Sequence, residues 1–229
     1  MTMSGEVKSC FGAYNQQTTE SRIKLVFPDL LARLRVQKPR RLLDYGCGPG
    51  FFLRDHASAL NIDQVGYDVC DEMIQTATTN CKDVPKTTIV PNLEVLEPAS
   101  FGAVTTTAVW MCWKSEPECL ENLGWIRRLI SFHGVLYAAV THPCFRDQAY
   151  STFSMHLDQG RYLEAGTPYE ARLFDQGQKV SFTDHHWPLW AMSAQLKRAG
   201  FRIEEIQEYP DTAPGSKGSP WMLIVATPK

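Results

Sequence analysis

Asp44-Tyr45-Gly46-Cys47-Gly48-Pro49-Gly50 sets three glycines at alternate positions directly behind a short apolar run, Arg41 to Tyr45 (RLLDY). Lys38-Pro39 breaks the chain before that run and the glycines end it, so the pattern reads as a buried strand entering a tight turn. Glycine is needed in such a turn where a side chain would hold a ligand off the backbone, or where φ must be positive. A helix should follow from about Phe51 to Leu60. Strand, bare loop and helix in that order constrain the chain to an open α/β sheet, whose ligands bind beyond the carboxyl ends of the strands.

The rest of the chain repeats the alternation. Gln64 to Tyr67 is a second strand closing at Asp68, and Asp71 to Asn80 is a helix with Met73, Ile74 and Ala77 on one face and Asp71 as N-cap. Thr87 to Val90 is a third strand, and the β-branched run Ala103 to Val109 (AVTTTAV) a buried fourth. A helix from Pro117 to Ile130 should stop at His133-Gly134. The fifth strand, Val135 to Val140 (VLYAAV), ends at Thr141-His142-Pro143. Residues 144–180 have no strong period and read as an insertion or cap over the sheet, lining an acceptor pocket. Trp190 to Ala199 is a last helix closed by Gly200, and Phe201 to Ile206 pairs with Met222 to Ala226 as a terminal hairpin. The whole chain, 1–229, is read as a single domain, with 1–34 an N-terminal lid or helical segment. Alternation of this kind implies a mostly parallel sheet with helices on both faces.

Composition narrows the function classes. Hydrophobic residues make up 44% and charged residues 21%, the balance of a folded domain with a sizeable core. A net charge of -2 gives no electrostatic footprint for nucleic acid or an anionic membrane. No apolar run approaches the ~20 residues that span a bilayer, and the polar start of the chain has no signal-peptide core, so a cytoplasmic protein is expected. The 7 cysteines are scattered without a CxxC pair, which argues against a disulfide framework or a zinc site. Monomer and homodimer are equally open.

The loop chemistry points to a class of ligand. A dinucleotide loop would read GxGxxG and seat a pyrophosphate on the helix N-terminus. Here the spacing is GxGxG, and Asp44 stands immediately before it. A carboxylate there would repel a pyrophosphate but attract an ammonium group. Asp68, at the end of the second strand, can accept both hydroxyls of a ribose. An amino-acid-bearing nucleoside satisfies both.

LLDYGCGPG resembles motif I of class I S-adenosylmethionine-dependent methyltransferases of the small-molecule type, and GYDVCDEMI is similar to their second acidic motif. FGAVTTTAVW, RRLISFHGVLYAAV and HHWPLWAMSAQLKRAGF resemble the family's fourth strand, its fifth-strand turn and its last helix. The resemblance implies a Rossmann-like, seven-stranded, mostly parallel sheet with a C-terminal antiparallel hairpin, and S-adenosyl-L-methionine as donor. It also assigns residues. Asp44, Gly46, Cys47 and Gly48 would meet the methionine part, Asp68 the ribose, Val69 and Met73 the faces of the adenine, and Asn92 and Leu93 its edge. Asn92 stands where the family usually has aspartate. Thr107, in the fourth strand, belongs to the same pocket, and Tyr14 would reach it from an N-terminal lid.

Methyl transfer is an in-line displacement in which the protein mainly aligns the partners. A base is needed only when the acceptor must lose a proton. His142, after the fifth strand, and His185 and His186, before the last helix, are the candidates, with a structural histidine the alternative at each. Trp110, Trp113, Trp187 and Phe145 are candidates for the acceptor wall, with core packing the alternative for the indoles, Trp190 included. The function implied is methyl transfer to a small molecule, with specialised metabolism as its setting. The rivals are a non-catalytic relative that only binds the nucleoside and an NAD-dependent oxidoreductase.

Overall fold

The computed structural model describes residues 22–150, 153–175, 178–211 and 218–229. Ten strands, β1 Arg41–Tyr45, β2 Asp63–Tyr67, β3 Thr87–Val90, β4 Phe101–Thr107, β5 Ile130–Thr141, β6 Phe153–His156, β7 Thr167–Asp175, β8 Gln178–His186, β9 Phe201–Tyr209 and β10 Trp221–Pro228, form two sheets among these residues. The main sheet has seven strands in the order β3-β2-β1-β4-β5-β10-β9, and β6-β7-β8 form a separate antiparallel sheet. All pairs in the main sheet are parallel except those of β10, which runs against both β5 and β9. The seven-stranded Rossmann-like sheet and its C-terminal antiparallel hairpin are as the sequence implies.

Four α-helices accompany the sheet: α1 Phe27–Gln37, α2 Asp71–Cys81, α3 Glu116–Leu129 and α4 Leu189–Arg198. None of the described helices is long and apolar enough to cross a membrane. In α1, Phe27, Leu30, Leu31 and Leu34 are buried at helical spacing, and Lys38 ends the helix in the left-handed region. On its outer side Arg33 forks onto Glu205 at 2.7 and 2.8 Å, tying α1 to β9. The strand order reverses between β1 and β4: from β1 the chain steps outward to β2 and β3, and from β4 to β5. The loops after β1 and β4 therefore diverge and leave a crevice, the place where such sheets bind ligands.

Several sequence expectations shift. The segment after the glycine loop is not a regular α-helix but a π-helical turn, Phe52–His56, followed by a 3₁₀ turn, Ala57–Leu60. Ring packing accounts for the wider turn, since Phe27 lies 4.9 Å from both Phe52 and His56. The N-cap of α2 is Cys70, and Asp71 is its first helical residue. The fourth strand ends at Thr107 because Ala108 takes a positive φ of 60°, which turns Val109 inward. His133-Gly134 does not stop the preceding helix. Ile130 already has extended backbone and pairs with Phe101, so α3 passes directly into β5. The region 144–180 is not irregular: it contributes β6, β7 and the start of β8, whose end reaches His186.

Candidate active site

The loop after β1 is held by backbone bonds. The N–H groups of Gly46 and Cys47 both donate to Tyr67 O, at 2.7 and 2.8 Å, which pins the turn to the end of β2. Gly46 has φ +78°, and a Cβ there would meet Val109 Cγ2 at 2.4 Å. Gly48 has φ +53°, but a Cβ there would meet nothing within 4 Å among the described residues. The first glycine is demanded by packing; the second borders open space, as a ligand seat requires.

Two carboxyls frame that space. Asp44, on β1, is buried and accepts from Thr105 Oγ1 of β4 at 2.9 Å. Burial pushes its carboxyl up to about 7, opposed by the Thr105 hydroxyl and by the positive charge of Arg22. Asp68 is half-buried; its Oδ2 accepts from Gly48 N and its Oδ1 from Cys70 N, each at 2.9 Å. Burial raises its pKa, and the backbone N–H groups of Cys70, Gly48 and Val69 pull it back. With about four lone-pair sites on its two oxygens, the carboxylate keeps at least one for a ligand hydroxyl.

Beside Asp68, Val69 is 67% exposed, an apolar side chain at the mouth of the crevice. Met73 and Leu93 are buried. Asn92 is exposed and its Oδ1 accepts from Val95 N at 3.3 Å, leaving one lone pair on that oxygen. Thr107 Oγ1, at the carboxyl end of β4, is buried without a hydrogen-bond partner among the described residues. Cys47 is buried, and burial holds its thiol well above the ordinary range, so it is an inert wall. Tyr14 lies outside the described residues. The glycine loop, the open space at Gly48, the orphaned hydroxyl of Thr107 and the paired carboxyls fit a nucleoside that carries an ammonium group.

The expected acceptor side is rearranged. His142 Nδ1 accepts from Cys144 N at 3.2 Å, so Nε2 carries the proton and donates to Glu208 Oε1 at 2.6 Å. His186 Nε2 donates to Tyr162 O at 2.7 Å and its Nδ1 accepts from Arg146 at 3.3 Å. As placed, neither ring has a lone pair left for a proton. His185 differs: its Nδ1 has no hydrogen-bond partner among the described residues.

Trp110, Trp113 and Trp187 are buried as core packing, with Trp110 Nε1 donating to Gln195 Oε1 and Trp187 Nε1 to Trp113 O. Trp190, grouped with them in sequence, is 54% exposed. Phe145 is half-buried against the His142 ring at 4.8 Å.

What the spacing of residues did not reveal is a polar cluster between the small sheet and the end of β5. Arg146 is buried; it donates to Thr141 O at 3.0 Å and His185 O at 3.1 Å, and its guanidinium lies 4.9 Å over the Tyr169 ring. Tyr169 Oη donates to Asp184 Oδ2 at 3.4 Å, and Asp184 is itself buried. A cavity of about 230 Å³ opens beside the cluster, lined by Cys144, Arg146, Leu157 and Tyr162 among others. One signal was present in the sequence: Val180, Phe182, Asp184 and His186 alternate along β8, so a carboxylate occupies the inward series.

Comparison with known proteins agrees with this geometry. A family model described as a methyltransferase domain matches residues 43–138, from β1 into β5. An N-demethylindolmycin N-methyltransferase of Streptomyces griseus is 25% identical over 188 residues, covering 80% of this chain and 78% of the relative. Among solved structures, the PH0226 protein of Pyrococcus horikoshii superposes with a TM-score of 0.67 at 18% identity, covering 99% of this chain and 100% of the other. An S-adenosylmethionine-dependent methyltransferase of Aquifex aeolicus gives 0.65 at 16% identity, covering 96% and 98%. The domain match over residues 43–138, together with the strand order and the glycine loop, makes this chain similar to class I S-adenosylmethionine-dependent methyltransferases.

Proposed function

We propose that the chain catalyses methyl transfer from S-adenosyl-L-methionine to a small-molecule acceptor. The observation that carries this reading is the crevice at Gly48: open space flanked by a buried carboxyl, Asp44, and a ribose-type acceptor, Asp68. When bound, S-adenosyl-L-methionine supplies an electrophilic methyl group on a sulfonium.

The chain's own residues would bind and orient. Asp44 takes the ammonium of the methionine part, a partner that returns the buried carboxyl to its charged form. Asp68 takes the ribose hydroxyls, Val69 and Met73 flank the adenine, and Asn92 and Leu93 border its edge. Thr107 offers its unpartnered hydroxyl to the same ligand. The small sheet β6-β7-β8 lies beyond the carboxyl end of β5 and would roof the acceptor, excluding water from the reacting atoms.

A small acceptor is supported by the relative whose name specifies N-demethylindolmycin, and by a net charge of -2, which gives no overall attraction for a nucleic-acid acceptor. Calorimetric titration with S-adenosylmethionine, S-adenosylhomocysteine and NAD tests the site. Micromolar binding of the first two and none of NAD is expected; the reverse would make the chain an oxidoreductase. Turnover is then sought on a small-molecule panel that includes N-demethylindolmycin. Tight donor binding without turnover across a broad panel would favour a nucleoside-binding, non-catalytic role.

A further inference from the structure

The buried carboxyl of Asp184 has no place in donor binding, and its surroundings give it another task. It lies near the end of β8, directly across from Tyr169 of β7 in the strand register. Its one hydrogen bond among the described residues is the weak one from Tyr169 Oη at 3.4 Å. That hydroxyl is also 3.4 Å from Thr141 Oγ1, the last residue of β5, so the carboxyl sits over the carboxyl edge of the main sheet. β8 packs against the 3₁₀ turn Trp110–Cys112 that follows β4, and just past its end Trp187 Nε1 donates to Trp113 O at 3.1 Å. Asp184 therefore lies on the side of the molecule where β4 and β5 end, beside the crevice.

We propose that Asp184 takes the proton from the acceptor's nucleophile, a nitrogen or oxygen that still carries hydrogen, as the methyl group arrives. This rests on the methyl-transfer reading. As the bond from nitrogen or oxygen to the methyl carbon forms, the carbon–sulfur bond breaks and its electron pair stays on sulfur. The proton moves to a carboxylate oxygen of Asp184, so one positive and one negative charge disappear together.

The groups facing Asp184 are Arg146 from the turn after β5 and Tyr169 from β7. Burial outweighs the favourable charge of Arg146 and the Tyr169 hydrogen bond, pushing the carboxyl up to about 7, a value suited to a base near neutral pH. Nδ1 of His185, on the adjacent residue, is the competing acceptor.

The test needs no acceptor. The full chain, labelled with ¹³C at aspartate carboxyls and assigned through the backbone, is titrated by NMR with S-adenosylmethionine bound and again with S-adenosylhomocysteine bound. The two ligands differ by one methyl and one positive charge on sulfur. If Asp184 faces the reacting methyl, its pKa falls by about one to three pH units more with the sulfonium than with the thioether. Asp44, facing the ammonium that both ligands share, shifts alike with both. An Asp184 that titrates identically in the two complexes overturns the proposal and leaves His185 as the base. If the Asp44 signal also fails to move with either ligand, the methyl-transfer reading itself has failed and takes this proposal with it.

Discussion

Asp68 Oδ2 receives the backbone N–H of Gly48 at 2.9 Å while its Oδ1 receives that of Cys70 at 2.9 Å. One carboxylate therefore clamps the glycine loop to the start of α2 and still has a lone pair for a ligand. Asp68→Ala should orphan the Gly48 N–H and remove the ribose acceptor together. Charge-assisted hydrogen bonds contribute about 1.5–3 kcal/mol, so donor affinity should fall roughly 10- to 150-fold. Calorimetry against S-adenosylhomocysteine reads this directly. Unchanged affinity in a folded variant would remove Asp68 from the site.

Two glycines of the same loop separate packing from ligand space. Gly46→Ala forces a methyl to within 2.4 Å of Val109 Cγ2 at φ +78°, so the variant should unfold at a visibly lower temperature. Gly48→Ala meets no atom of the described residues within 4 Å, and its strain there is that of the left-handed backbone, about 1–2 kcal/mol. Its methyl points into the crevice, and donor affinity should drop more than stability does. Thermal melts with and without S-adenosylhomocysteine check the contrast: ligand stabilisation should vanish in Gly48→Ala. A fully protected Gly48→Ala would mean that the ligand seats elsewhere.

The parts of the fold legible in sequence were those set by local patterning. β1 and β3 fall on the residues that their apolar runs and breakers mark, and Gly200, φ +83°, follows α4 as expected. The proposed donor half of the site could be drawn from the sequence for the same reason: loop, strand end and following helix are contiguous in the chain. The polar cluster proposed for the acceptor side could not. Arg146, Tyr169 and Asp184 meet only because β7 and β8 fold back over the end of β5, and no local spacing encodes that. His142 shows the opposite error. Its position at a strand's carboxyl end suggested chemistry, but Glu208 of β9, 66 residues away, occupies its Nε2.

Asp44 carries a conflict between stability and binding. In the unfolded chain its carboxyl titrates near 3.8, and in the fold near 7. Between those values the folded state keeps a proton that the unfolded state has lost, so stability declines as pH rises from about 4 to 7 and stays reduced above that. Asp44→Asn has no charge to bury. Ligand-free, it should be more stable than the parent at pH 8, by up to about 4 kcal/mol, and should gain little at pH 4. It should also lose donor binding, since an amide offers the ammonium no charge. Melting temperatures at pH 5 and 8, paired with calorimetry, test both halves; a variant less stable than the parent at pH 8 would contradict the buried-charge account.

The histidines predict a different pH window. Burial lowers the pKa of His142, against the pull of Glu208, and burial with the charge of Arg146 drives that of His186 down to about 4. Both rings are therefore neutral in the fold, while the unfolded chain takes up their protons below about 6.5. Their contribution is present above pH 6.5 and is lost as pH falls below it, for His186 down to about 4. A glutamine at 186 can still donate to Tyr162 O and accept from Arg146, yet it has no proton to gain. His186→Gln should be somewhat less stable than the parent at pH 7.5, and the gap should close by up to about 3 kcal/mol on acidification to pH 4. Chemical denaturation across that range measures the closing directly. Because both nitrogens of His142 are engaged, His142→Gln should likewise lower the melting temperature while leaving affinity for S-adenosylhomocysteine unchanged. A His142→Gln variant that melts like the parent would show that the Glu208 contact contributes nothing.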